Sequence, residues 1–118
     1  MENELLSKTL IAELLKFRSA RDWEQFHSAR NLAAAISVEA AELLEYFIWL
    51  SDNQVAEVVN DNRTAISDEI ADIAILLTYL SHDLSIDIEV AVKKKLNDNA
   101  NKYPKKKARG SNKKYSDL

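Results

Sequence analysis

The apolar positions of this chain recur at the three- and four-residue spacing of helices and predict five helical segments. In the first, Leu6, Leu10, Leu14 and Phe17 form one stripe. Serine and Asn/Asp positions between the segments provide caps and turns, and Pro104 ends the last helix. The predicted helices cover roughly residues 3–19, from 28 or 31 to 50, 53–59, 63–84 and 88–102. An irregular link, ARDWEQFHSA, joins the first two.

The second and fourth predicted helices repeat one another. A shift of 30 residues superimposes two sets of similar side chains. These sets are Ala35, Ile36, Glu39, Glu42 and Leu43 in the second helix, and Ala65, Ile66, Glu69, Asp72 and Ile73 in the fourth. Two copies are too few for a solenoid, and they favour two helices that pack together about a local pseudo-twofold axis.

Composition narrows the fold class. At 118 residues the chain has the size of one domain, and one Gly and one Pro are too few for a turn-rich β fold. We therefore expect an all-α bundle of four to five helices. The absence of Cys excludes disulfides and thiolate metal sites. We find no secretory signal and no uninterrupted apolar span, so we expect a cytoplasmic protein without a membrane partner.

Charge divides the chain unevenly. Residues 1–92 carry 6 Lys/Arg against 17 Asp/Glu, a net charge of −11, whereas residues 93–118 carry 10 against 2, a net charge of +8. We predict a helical domain over residues 1–104 and a basic extended tail over 105–118. The acidic body would repel a phosphate backbone, so no nucleic-acid partner is expected.

Four carboxylates lie within apolar stripes of the two matching helices. They are Glu39, Glu42, Glu69 and Asp72. Neither stripe contains Lys or Arg, and a buried carboxylate without a compensating charge costs several kcal/mol. A divalent cation would compensate the cluster, and Mg²⁺ prefers such oxygen ligands and keeps room for phosphate oxygens.

Two other interpretations of these acids compete with a magnesium site. Acidic pairs three residues apart are common on solvated helix faces. A di-iron carboxylate site normally uses Glu-x-x-His, whereas the third position here is Glu42 or Asp72. The matching register of the two pairs favours a bound cation, and the residue types favour Mg²⁺ over iron.

The carboxylate pattern, Glu39-x-x-Glu42 followed by Glu69-x-x-Asp72, resembles the motif of the all-α nucleoside triphosphate pyrophosphohydrolases, the MazG-like superfamily. Within that superfamily the chain is most similar to the dCTP pyrophosphatase branch. The segments that carry this closer likeness are RDWEQFHSARNL, FIW, the Lys95/Asn99/Tyr103-Pro104 series and RGSNKKYSDL. The likeness extends from about Arg18 to the C-terminus.

This resemblance implies hydrolysis of a deoxynucleoside triphosphate to its monophosphate and pyrophosphate, with Mg²⁺ as cofactor and Mn²⁺ as a substitute. The active site would lie between helices of a dimer or tetramer. Glu39, Glu42, Glu69 and Asp72 would be both catalytic residues and metal ligands. Lys95, Asn99 and Tyr103 would contact phosphate or sugar, and Trp23, His27 and Trp49 would line the base pocket. Leu14 stands where eukaryotic members carry a His near the base, so the base preference stays open.

Two features of the residues themselves agree with these implications. Lys95, Asn99 and Tyr103 are each four positions apart, so they form one polar ridge on the last helix. The second helix is apolar nearly all round, which favours self-association as a dimer or tetramer. The alternative function is a non-catalytic helical interaction module whose acids hold a structural metal. The physiological nucleotide, the number of metal ions and the choice of general base stay open.

Overall fold

The computed structural model describes residues 5–118, and every regular element in that range is helical. This confirms the predicted all-α class. The helices are α1 (Lys8–Ala20), α2 (Ala29–Glu45), α3 (Val55–Asp61), α4 (Arg63–Asp83), α5 (Ile88–Lys102) and α6 (Lys105–Ala108). Short 3₁₀ turns occur at Glu24–Phe26, Asp52–Gln54 and Tyr115–Asp117.

Side-chain caps set where three of the helices begin. The hydroxyl of Ser7 accepts from the backbone N–H of Leu10 at 3.2 Å at the start of α1, and Ser28 accepts from Asn31 at 3.1 Å at the start of α2. The carboxylate of Asp87 does the same for α5. Each cap satisfies a backbone donor that has no partner inside its helix.

Two predicted boundaries differ from the structure. α1 begins at Lys8, because Ser7 caps it; the first two residues of the predicted helix, 3 and 4, lie outside the described residues. α2 ends at Glu45, five residues before the predicted end at Leu50. Helical periodicity continues through FIWL, but the backbone leaves the helix, and Trp49 adopts a positive φ of 67°.

The helices of residues 6–85 form one compact unit, in which α4 is the central element. α2 packs along α4, and α1 and α3 also contact it. Leu32 of α2 and Ile66 and Tyr79 of α4 are the buried apolar side chains of this unit. The predicted pairing of the second and fourth helices is therefore confirmed.

Residues 86–118 form a second compact unit. α5 has the predicted bounds. The segment predicted as an extended tail instead contains α6, a turn at Gly110 with φ of 71°, and the 3₁₀ turn at Tyr115–Asp117. The Tyr115 ring packs edge-on against Tyr103, with ring centroids 6.1 Å apart. The proposed division at residue 104 stays a prediction.

Within residues 5–118, the structure contains no helix with the length and apolar character needed to cross a bilayer.

Candidate metal centre and adjoining cavity

The four predicted carboxylates lie on the helix faces along which α2 and α4 pack. Glu39 follows the buried Leu32 by seven residues, two turns along α2, and Glu69 follows the buried Ile66 by three. Residues at these spacings share a face. The packing of the two apolar stripes therefore carries the acids toward one another, as the repeat predicted.

Three of the four carboxylates converge closely. One oxygen from each of Glu39, Glu69 and Asp72 lies within 4.8 Å of the others. Glu39 and Glu69 are half-buried, and Asp72 is exposed. Glu42 is outside this group of three, and it lies one helical turn from Glu39 on the same side of α2. The structure thus brings all four acids to one place, with Glu42 at its margin.

Mutual repulsion alters the proton affinity of this cluster. A hydrogen bond with Glu69 and then burial raise the pKa of Glu39 above its usual value. A hydrogen bond with Glu39, followed by its negative charge, raises the pKa of Glu42. Without a cation, these carboxyls therefore hold protons more tightly than solvated ones do.

The unused oxygens of the cluster fit a divalent cation. Oε2 of Glu39 and Oε2 of Glu69 are buried, and neither has a hydrogen-bond partner among the described residues. Buried polar atoms in native proteins are normally paired. Oxygens bound to one octahedral Mg²⁺ stand roughly 3–4 Å apart, comparable with the spread of these three carboxylates. The ion pairs of residues 5–118 include no Lys or Arg bound to any of the four acids.

A cavity of about 420 Å³ opens beside this cluster in residues 6–85. Its lining combines two of the acids with aromatic and aliphatic side chains. The lining residues are Leu14, Phe17, Trp23, His27, Glu39, Asp72, Ile75, Leu76 and Tyr79. Trp23 and His27, two of the predicted base contacts, therefore share one cavity with Glu39 and Asp72.

The aromatic wall of the cavity is a chain of contacting rings. Trp23 meets Phe17 edge-on at 5.7 Å between centroids and His27 at 6.4 Å. His27 in turn lies 5.5 Å from Tyr79. Nδ1 of His27 is buried and has no hydrogen-bond partner among the described residues. A planar ligand could stack on this wall and hydrogen-bond to that nitrogen.

Sequence reasoning did not assign several of these lining residues. Ile75, Leu76 and Tyr79 follow Asp72 by three, four and seven positions, so they occupy its side of α4. That spacing was available as a signal. Phe17 is predictable only as an apolar position of α1, because periodicity along one helix does not identify its contacts with another helix.

Tyr79 is tied to α1 from behind the cavity. Its hydroxyl donates to the backbone carbonyl of Leu14 at 3.1 Å, and the Arg18 guanidinium lies 4.6 Å from the centre of its ring. Arg18 also forms two hydrogen bonds of 2.8 Å to Asp83. This ion pair lowers the pKa of Asp83, chiefly through those bonds, whereas burial raises the pKa of Tyr79.

Trp49 is not brought to this cavity. Its side chain is 92% exposed, and it is not among the lining residues. The left-handed backbone at this residue, uncommon for a bulky side chain, holds the indole outward from the turn after α2. Its role as a base contact stays a prediction.

Lys95, Asn99 and Tyr103 belong to residues 86–118. Lys95 is exposed, Asn99 is half-buried, and they share one face of α5 with Tyr103, which follows its last residue. Tyr103 also lines a second cavity of about 490 Å³ with Lys105, Ala108 and Arg109. The predicted ridge of donors is therefore present within this unit, and its contact with phosphate stays a prediction.

Comparisons with known proteins show which family the chain is similar to. A model of the MazG-like family matches residues 34–118. The dCTP pyrophosphatase 1 of Mus musculus is 39% identical over 105 residues, covering 87% of this chain and 62% of that protein, and the Homo sapiens protein is 37% identical with the same coverage. The chain thus spans less than two thirds of these relatives. The crystal structure of a pyrophosphatase from Archaeoglobus fulgidus shares 40% identity at a TM-score of 0.80, covering 82% of this chain and 91% of that one.

Proposed function

Because this chain belongs to the MazG-like family, we propose that it hydrolyses a deoxynucleoside triphosphate to the monophosphate and pyrophosphate in a metal-dependent reaction. The observation that carries this proposal is the acidic cluster beside an aromatic cavity, with Glu39 and Asp72 common to both. Such a site could bind a cation that contacts the phosphates, and its aromatic side chains could stack on the nucleotide base. The names of the similar pyrophosphatases support the same reaction.

Glu39, Glu69 and Asp72 would hold the cation, and Glu42 would complete or adjust the set. Hard carboxylate oxygens favour Mg²⁺, with Mn²⁺ as a substitute. The bound ion would neutralise phosphate oxygens and lower the pKa of a water. The unpartnered oxygens of Glu39 and Glu69 support this ligand set.

Glu42 is the stronger candidate for the group that accepts the proton of the attacking water. It lies outside the three clustered oxygens, so its carboxylate is less committed to binding a cation than that of Glu39. A carboxylate that is not fully used as a metal ligand can accept the proton of the attacking water.

The cavity would receive the base. Trp23 offers a ring for stacking, an interaction that contributes roughly 1–3 kcal/mol per base in single-strand binders. The unpartnered Nδ1 of His27 would hydrogen-bond to the edge of the base. Trp49, exposed on its turn, would act from a neighbouring subunit. Lys95, Asn99 and Tyr103 would supply donors to the phosphate oxygens.

We further propose dCTP or a close relative as substrate and a dimer or tetramer as the working form. The substrate rests on the likeness to the dCTP pyrophosphatases. Leu14 lines the cavity, and its side chain cannot form a hydrogen bond, so other residues must recognise the edge of the base. The assembly rests on the many exposed large apolar side chains of the described chain.

Pyrophosphate release from a panel of nucleoside triphosphates tests this function. We expect turnover of dCTP with Mg²⁺ or Mn²⁺ and none after addition of EDTA. Replacing Glu39, Glu42, Glu69 or Asp72 by its amide should lower the rate at least about a hundredfold at saturating Mg²⁺. The matched control is Glu57→Gln, on the exposed side of α3. Full activity of all four amide variants would exclude the mechanism, and metal binding without turnover would favour a non-catalytic interaction module.

A further inference from the structure

An ion pair between a buried guanidinium and a partly exposed carboxylate joins α1 to α4. Arg18 of α1 is 4% exposed, and both of its terminal nitrogens bind the Asp83 carboxylate at the end of α4, each at 2.8 Å. The two residues are 65 positions apart in sequence. A two-bond guanidinium–carboxylate pair fixes angle as well as distance, so it sets how α1 meets α4.

A contribution to the stability of the folded protein does not by itself explain this ion pair. Replacing a buried ion pair by apolar residues of similar size is often neutral or stabilising. In addition, Nε of Arg18 is buried without a hydrogen-bond partner among the described residues, which adds a desolvation cost. The ion pair is therefore better explained by a role other than stabilising the folded state.

The group that the pair holds in place is Tyr79. The Arg18 guanidinium covers one part of the ring at 4.6 Å, while the hydroxyl is bonded to the carbonyl of Leu14. Tyr79 is 4% exposed, yet it lines the cavity and lies 5.5 Å from the His27 ring. Arg18 is not among the lining residues, whereas the Tyr79 ring that it covers is, so Tyr79 offers a direct route by which Arg18 can affect a ligand.

We propose that Arg18 is a positioning residue that sets nucleotide affinity and base preference through Tyr79. The inference rests on the proposed function, since it takes the aromatic wall as the base site. The pair fixes Tyr79, and Tyr79 limits where the ring of His27 can lie. A planar base stacked on this wall loses contact with the rings when they shift, which weakens its binding before any chemical step.

Steady-state kinetics of pyrophosphate release with dCTP, dUTP, dTTP and dATP provide the test. Arg18→Met should raise KM for the preferred nucleotide about tenfold and change kcat less than about twofold. The difference in kcat/KM between the preferred nucleotide and the others should become smaller. Arg18→Lys should restore little of this, because an ammonium cannot form the two parallel bonds. The matched control is Arg63→Met at the start of α4, about 24 Å along the helix from Tyr79, which should leave KM unchanged.

A double variant separates positioning from stability. Arg18→Met with Asp83→Leu removes both charges, so it should recover much of the Tm lost in either single variant while KM stays raised. Recovery of both Tm and KM would overturn the proposal, as would an unchanged KM in folded Arg18→Met or Arg18→Lys protein. If the unmodified protein released no pyrophosphate from any nucleotide, the proposed function would fall and this inference with it. Activity with unchanged KM would reject only the role of Arg18.

Discussion

Glu39 shows how one residue can oppose folding and serve chemistry. Its interaction with the Glu69 carboxyl, followed by burial, raises its pKa, and its Oε2 is buried without a partner among the described residues. None of these features stabilises a cation-free protein. All of them become favourable when a divalent ion binds, because the ion compensates both the charge and the unused oxygen. Residues kept for function at a cost in stability are a recognised pattern.

The variant Glu39→Gln should therefore raise the Tm of the metal-free protein by a few degrees. The amide removes one negative charge from the cluster and can donate to a neighbouring carboxylate. The same variant should lose most of the rise in Tm that Mg²⁺ gives the unmodified protein, since ligand-induced stabilisation depends on affinity for the folded state. Thermal unfolding with EDTA and with Mg²⁺ measures both effects.

The pH dependence of the difference in Tm between Glu39→Gln and the unmodified protein serves as the control. A carboxyl whose pKa is raised by folding binds protons more tightly in the native state, so stability falls as pH rises through that raised pKa. The Tm advantage of Glu39→Gln should thus be small near pH 4.5, the usual carboxyl pKa, and grow above it. An advantage independent of pH would show that repulsion in the cluster is not its cause.

At the scale of elements, the attachment of α1 depends on Arg18 and Asp83. Asp83→Asn should destabilise the protein by about 2–3 kcal/mol at neutral pH, because it leaves a buried guanidinium without its counter-charge. The cost is kept to this range because the Asp83 carboxylate is partly exposed, and solvent weakens its attraction to Arg18. Here folding lowers the pKa of the acid, so the stabilisation is complete above its ordinary value of 3.8 and is lost as pH falls through the lowered pKa.

Urea unfolding of the unmodified protein and Asp83→Asn measures this difference. It should be constant from pH 5 to 7 and shrink in the acid range below 3.8. Glu57→Gln, in which no buried partner loses its charge, serves as the control. Equal stability of Asp83→Asn and the unmodified protein at pH 7 would exclude a structural contribution from the ion pair.

The turn after α2 carries strain at Trp49. A positive φ costs a bulky L-residue of the order of 1 kcal/mol, a cost that glycine does not incur. Because the indole is 92% exposed, little packing opposes that strain. Trp49→Gly should therefore leave the isolated subunit as stable or slightly more stable, yet weaken nucleotide binding if the ring serves a site. Denaturant unfolding together with KM for dCTP decides this, and Trp49→Ala controls for loss of the ring without relief of φ.

Local sequence determined some elements and left others undecided. The bounds of α5 followed from the Asp87 cap and from Pro104, which are both local signals. The end of α2 was missed because apolar spacing continues past Glu45, while the backbone turns. The carboxylate cluster was predictable from two matching stripes. The partners of Tyr79 were not, since the relative placement of α1 and α4 depends on contacts between residues 65 positions apart.

At the scale of the whole molecule, the described chain buries little of its apolar surface. Its buried apolar side chains are Leu32, Ile66 and Tyr79, whereas many large ones are exposed. On α2, Leu44 is 56% exposed. On α4, Ile70 and Leu77 lie seven positions apart on one exposed face. Contiguous exposed apolar faces in folded proteins normally mark interaction sites.

We therefore predict that the protein self-associates through these faces of α2 and α4. Sedimentation velocity at micromolar concentration should show a dimer or tetramer. Leu44→Glu and Ile70→Glu should each shift it toward monomer, because a charge buried in an interface loses its hydration without gaining a partner. Thr64→Glu, which adds the same charge at an exposed polar position of α4, should leave the assembly intact. A monomer in the unmodified protein, or assembly unaffected by both apolar-to-Glu variants, would contradict the prediction. If the site also needs a neighbouring subunit, pyrophosphate release should fall with dilution in step with dissociation, and an activity independent of concentration would assign catalysis to the single chain.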